Sequence, residues 1–199
     1  AIADVKWMAE LLEHMGASIS FNENELTINV PETLTPEAPY ELVERMRASI
    51  VVLGPLLARF GTARVSVPGG DDFGHRPIDM HLRGLEELGA EFTTSHGYIQ
   101  ATSAGLTGTR VLLEFPSVGA TENLLMAAVL AEGTTIIDNA AREPEISDLA
   151  DFLNRMGAQI SGAGRSVITI DGVNELHPVE HTVISDRIEA ATYLAALGI

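Results

Sequence analysis

The sequence predicts an α/β fold of repeated units, with apolar helices inside and strands and amphipathic helices around them. Three observations carry this. A helix-like block ending in Gly-Ala occurs three times, at residues 11–17 (LLEHMGA), 84–90 (GLEELGA) and 152–158 (FLNRMGA), a period near 70 residues. That period is too long for the common solenoids and suits a unit of two helices and several strands. A second block, residues 56–62 (LLARFGT), is answered by residues 129–134 (VLAEGT). The helices are also of two kinds, amphipathic ones that belong outside and nearly all-apolar ones that belong inside.

Each unit reads in the same order. Met8, Leu11, Leu12 and Met15 form the stripe of an amphipathic helix. Gly16 is placed to stop it. Residues 17–21 read as a strand, Asn22-Glu23-Asn24 as a turn, and Leu26, Ile28 and Val30 alternate as a strand half-buried on one face. Helix, Gly-Ala, strand, turn and strand return at 79–102 and 146–171. Ser95-His96-Gly97 and Gly162-Ala163-Gly164 supply the later turns. The apolar helices are expected at 50–60 and 124–130, and residues 63–67 (ARVSV) read as a strand.

Between that strand and the next helix lies PGGDDFGHRP, residues 68–77. Three glycines and two prolines exclude a regular helix or central strand. The loop carries two carboxylates, an imidazole and a guanidinium. A mobile carboxylic acid with an anion-binding arginine nearby can transfer a proton. An exposed acidic turn is the plainer reading of such a loop taken alone.

Composition narrows the classes. A chain of 199 residues holds one large or two small domains, and 46% apolar residues provide for an aliphatic core. There is no cysteine, so disulfides and thiolate metal sites are excluded. The net charge of −16 argues against nucleic-acid binding. No run has the length of a membrane span, and the first residues lack a secretory signal. We expect a soluble, cytoplasmic protein with neither nucleic acid nor membrane as partner. The six histidines show no metal-ligand spacing, so no metal is expected. No nucleotide P-loop or G-x-G-x-x-G fingerprint occurs.

Ordered motifs then give a resemblance. MRAS…LGPLLARFG, PGG…G…RP.D.HL.GLE.LGA, SVGATEN, AEGTTII.NAAREPEI and DRIEA.T follow one another through nearly all 199 residues. This set resembles the enolpyruvyl transferases, above all those acting on a UDP-sugar. The resemblance implies an inside-out α/β barrel of βαβαββ units, three to a domain and two domains to the enzyme. Residues 1–184 would be the catalytic-loop domain, its first unit beginning after the first strand and helix. Residues 185–199 would be the crossover and the first helix of the second domain. The implied reaction moves the enolpyruvyl group of phosphoenolpyruvate to the 3-hydroxyl of UDP-N-acetylglucosamine, the first committed step of peptidoglycan synthesis, without a cofactor. Two alternatives are a relative acting on shikimate 3-phosphate and an isolated UDP-sugar-binding domain without turnover.

The resemblance also assigns residues. Asp71 stands where most members carry a cysteine, the target of fosfomycin. It would be the general acid, with intrinsic fosfomycin resistance as a consequence. That role needs its pKa raised by neighbouring anions, Asp72 among them, or by closure over substrate. Arg76 would bind phosphate oxygens through its planar guanidinium. Pro77, Ile78, Asp79 and Met80 would wrap the uridine and diphosphate, largely through backbone groups. Arg47 is assigned to the UDP-sugar, its plain alternative being a surface arginine at a helix start. Ser117, Val118 and Gly119 read as a helix start with free N–H groups for the UDP moiety, or as an ordinary cap. Phe115 replaces a lysine common two residues before that serine. Arg142, Arg187, Glu143 and Asp186 fall near the interdomain cleft, with Glu143 and Asp186 open to purely structural roles at helix starts. His75 and His81 are read as solvated or supporting residues.

Overall fold

The computed structural model describes residues 2–68 and 77–197. The first unit supplies α1 (Ala3–Met15), β1 (Ser18–Asn22) and β2 (Glu25–Asn29), the strands pairing as an antiparallel hairpin. The second runs β3 (Glu37–Ala38), α2 (Tyr40–Val43), a 3-10 helix (Arg47–Val52) leading into α3 (Leu53–Phe60), β4 (Thr62–Ser66), α4 (Asp79–Glu87), β5 (Glu91–Ser95) and β6 (Tyr98–Thr102). The third runs β7 (Arg110–Leu112), α5 (Val118–Ala128), β8 (Thr134–Asp138), α6 (Pro144–Arg155), β9 (Gln159–Ser161) and β10 (Val167–Asp171). Their sheets have the same order, β3-β4-β6-β5 and β7-β8-β10-β9. In each, the first pair is parallel and the others antiparallel. These are the βαβαββ units. Among the described residues, α1, β1 and β2 precede β3.

The repeated glycines recur for a backbone reason. Gly16, Gly89 and Gly157 have φ of 115°, 97° and 109°, and Gly61 and Gly133 have 66° and 86°. The first four end helices in the left-handed region, and Gly133 takes it just ahead of β8, where a Cβ is penalised. Recurring backbone geometry thus appears in the sequence as recurring glycine.

Helices α3 and α5 lie at the centre. Leu53, Leu57, Leu124, Leu125, Ala127 and Ala128 are buried, and α4 and α6 pack on α5 from outside. Two glycines set the spacing. A Cβ on Gly54 would sit 2.4 Å from the Asn123 carbonyl oxygen, and one on Gly84 would sit 2.7 Å from Leu124. Helices approach this closely only where no side chain intervenes. Helix α5 starts ahead of the apolar run at 124–130, at the Ser117 cap, whereas α3 starts at Leu53 with residues 47–52 as a 3-10 turn before it.

One expectation fails locally. The apolar face of the first hairpin is open, with Phe21, Leu26 and Ile28 exposed at 47%, 41% and 43%. In the third unit the matching residues Ile168 and Ile170 are fully buried. There β10 is flanked by β8 and β9, whereas β2 has β1 alone. Past β10 the chain runs without helix or strand to residue 186. It is tied down by Val173 N–H to Val129 C=O (2.9 Å), His177 N–H to Met156 C=O (2.7 Å) and His181 Nε2 with Asp148 Oδ1 (2.9 Å). Then α7 (Arg187–Leu197) follows with every residue exposed. No helix among the described residues is long and apolar enough to cross a membrane.

Candidate functional site

Several helix starts are tied together at one end of the molecule. Arg47 opens the 3-10 helix, and its Nη2 donates to the Pro77 carbonyl at 3.0 Å, just ahead of α4. Ile78 is the capping residue of α4, and Asp79 in its first turn pairs with Arg83 at 3.2 Å. Met80 turns its side chain into the core, so only its backbone is free to meet a ligand.

The α5 start leaves backbone donors open. The Ser117 hydroxyl accepts from Ala120 N–H at 3.3 Å, leaving the N–H groups of Val118 and Gly119 without an intrahelical partner. Ser117 is therefore the cap of α5. Phe115, two residues ahead, is exposed.

Buried polar residues bind these starts to each other. Asn123 of α5 accepts the Gly54 N–H through Oδ1 at 2.7 Å. Its Nδ2 donates to the Ile50 carbonyl and to His81 Nδ1, both at 3.1 Å. One amide thus joins α3, α4 and α5. Thr121 of α5 donates to the Ser117 carbonyl at 2.8 Å and accepts the Ala141 N–H at 3.0 Å, which fixes the lead into α6. From the α6 start, Glu145 pairs with Arg187, Nη2 to Oε1 at 2.8 Å and Nε to Oε2 at 3.0 Å. Asp186 caps α7 by accepting the Ile188 N–H at 2.8 Å. The structural reading of Asp186 is therefore realised, and Arg187 is committed to an ion pair. Arg142 is exposed, and Glu143 folds back to accept the Arg142 N–H.

Two titratable groups stand out. Burial, with the Arg47 charge adding to it, pushes His81 down to about 4, while Asp79 opposes weakly. His81 is neutral at pH 7. Burial pushes the half-buried Glu122 up to about 7, with Glu145 adding repulsion. The Arg187 guanidinium holds Glu145 below the usual carboxylate range.

Of the residues expected from the sequence, Arg47, Pro77, Ile78, Asp79, Met80, Ser117, Val118 and Gly119 come together at this end. Asp186 caps its own helix, and its neighbour Arg187 reaches the α6 start through Glu145. Asp71 and Arg76, with Asp72 and His75, lie outside the described residues. His81, Thr121 and Asn123 carry more than the sequence suggested. His81 is 6% exposed, so of the two readings above the supporting one holds and the solvated one does not. His81 shares a helical stripe with Leu85 and Leu88, and Thr121 and Asn123 stand with Glu122 as a polar run in a largely apolar helix. Those were the available signals.

Comparison with known proteins places the chain in a family. The chain matches the EPSP synthase (3-phosphoshikimate 1-carboxyvinyltransferase) family over residues 1–199. It belongs to that family. Among curated members, UDP-N-acetylglucosamine 1-carboxyvinyltransferase 2 of Carboxydothermus hydrogenoformans is 59% identical over 193 residues, 97% of this chain and 46% of that protein. UDP-N-acetylglucosamine 1-carboxyvinyltransferase of Solidesulfovibrio magneticus is 55% identical over 198 residues, 100% of this chain and 48% of that protein. The chain thus spans about half the length of the curated relatives it matches. Among solved structures, the enolpyruvyl transferase NikO from Streptomyces tendae superposes with a TM-score of 0.83 at 25% identity, covering 98% of this chain and 47% of that one. EPSP synthase from Acinetobacter baumannii gives 0.71 at 24% identity over 96% of this chain and 44% of that one, a likeness of fold. The enolpyruvyl transferase fold is confirmed.

Proposed function

We propose that this chain is the UDP-sugar-holding part of a UDP-N-acetylglucosamine 1-carboxyvinyltransferase. The supporting observation is the meeting of Arg47, the α4 start and the bare N–H groups of α5 around one buried amide. Two helix starts and a guanidinium make a local anion site on a chain of net charge −16. The relatives at 55–59% identity carry that enzyme's name, which favours the UDP-sugar over shikimate 3-phosphate.

The reaction follows from the assigned groups. Asp71 delivers a proton to C3 of phosphoenolpyruvate while the sugar 3-oxygen, releasing its own proton to solvent, bonds to C2. The tetrahedral intermediate then loses a proton from C3 and expels phosphate from C2, restoring the double bond. Arg76 and Arg47 neutralise phosphate charge. Residues 1–184 form the loop-bearing domain, and 185–199 lead into the second. Both substrates are soluble anions, so the cytoplasm is the compartment in which they meet.

Calorimetry of this chain with UDP-N-acetylglucosamine and with shikimate 3-phosphate tests the assignment. Binding of the first alone is expected, and preference for the second would overturn it. In a protein completed to the length of its relatives, Asp71→Asn should lower kcat by at least about 100-fold. Full activity there would remove the acid assignment. Asp71→Cys should become alkylated by fosfomycin, read as a mass increase, while the aspartate form stays unmodified.

A further inference from the structure

The His81 ring sits between the α4 and α5 starts, and its two nitrogens differ. The Asn123 amide is oriented by two fixed partners, since the Gly54 N–H must meet its oxygen and the Ile50 carbonyl must meet its nitrogen. Its remaining N–H therefore points at His81 Nδ1, which must be the unprotonated, accepting nitrogen. A neutral ring then carries its proton on Nε2. That nitrogen has no hydrogen-bond partner among the described residues. It is not sealed in either, because Thr135 Oγ1 is the one fully enclosed, unpartnered side-chain atom among them. His81 Nε2 lies 3.5 Å from where a Cβ on Gly119 would stand, and the ring Cε1 lies 3.2 Å from it. A side chain there would crowd the ring. The bare glycine lets it reach the second residue of α5, beside the free N–H groups.

We propose that His81 donates its Nε2–H to an anionic oxygen of a nucleoside diphosphate seated on the start of α5, with Asn123 as the positioning residue that sets the donating tautomer. The proposal rests on reading this end as a UDP-sugar site. A neutral donor suits the place. It strengthens anion binding without adding a second cation beside Arg47, and its low proton affinity keeps the donor unchanged across physiological pH.

The test uses the 199-residue chain with UDP as probe. Calorimetry should show His81→Phe binding UDP about 10- to 100-fold more weakly, with His81→Gln, which keeps a donor near Nε2, recovering most of the loss. Nitrogen-15 NMR of the unsubstituted chain should show Nε2 protonated and Nδ1 bare, with the Nε2–H resonance moving downfield on adding UDP. That reading decides the matter if His81→Phe fails to fold. Equal UDP affinity in a folded His81→Phe, or an Nδ1–H tautomer, would overturn the His81 assignment while leaving the UDP site standing. No UDP binding by the unsubstituted chain would remove the site reading itself, and this proposal with it.

Discussion

At the scale of single residues, the site depends on polar groups kept in an apolar interior. Asn123 satisfies a donor and two acceptors from three different helices. Asn123→Ala leaves them unpaired and should cost about 3 kcal/mol in urea unfolding at pH 7. His81 and Glu122 should give the fold opposite pH responses. His81 has its folded value depressed from 6.5 to about 4. Its contribution is present above pH 6.5 and lost as pH falls toward 4, on the order of 3 kcal/mol. Glu122 has its folded value raised from 4.5 to about 7. Its contribution is full below pH 4.5 and lost as pH rises through 7. Glu122→Gln should therefore be more stable than the parent at pH 8 and lose that advantage at pH 4.5. The same difference at both pH values in urea unfolding would contradict the burial argument.

At the scale of elements, the units were legible because backbone requirements leave marks in composition. The helix-ending glycines and the two-residue turn His96-Gly97, with φ of 51° and 78°, are such marks. Packing between helices leaves fainter ones. Gly54 and Gly84 read as ordinary glycines in sequence, yet each marks a helix–helix contact. Gly54→Ala and Gly84→Ala should each cost about 1–3 kcal/mol by overpacking. Gly97→Ala meets nothing within 4 Å and should cost only the left-handed backbone penalty, about 1 kcal/mol. Alternation misled at β2. Leu26, Ile28 and Val30 have the pattern of a half-buried strand, but burial depends on a neighbouring layer that a local pattern does not encode. Ile28→Thr should change stability by less than about 0.5 kcal/mol, whereas Ile170→Thr, with the residue fully buried, should cost several times more.

At the scale of the whole molecule, the proposed anion site was legible as motifs and the meeting of its elements was not. Ser117, Val118, Gly119 and the α4 lead-in stand out in sequence because ordered motifs carry them. Their meeting through His81, Asn123 and Thr121 depends on long-range contacts that periodicity cannot supply. The far end of the chain is held lightly. Among the described contacts, α7 is fastened by the exposed Arg187–Glu145 pair, worth at most about 1 kcal/mol. Hydrogen exchange should find α7 amides exchanging fast and α5 amides protected close to the global limit. Equal protection would mean that α7 is part of the core.

The most direct test of the account is an amide NMR titration of this chain with UDP-N-acetylglucosamine. The helix-start site predicts the largest shifts at Ile78, Val118 and Gly119, with the β1–β2 hairpin unmoved. Shifts confined to that hairpin, or none at saturating ligand, would contradict it.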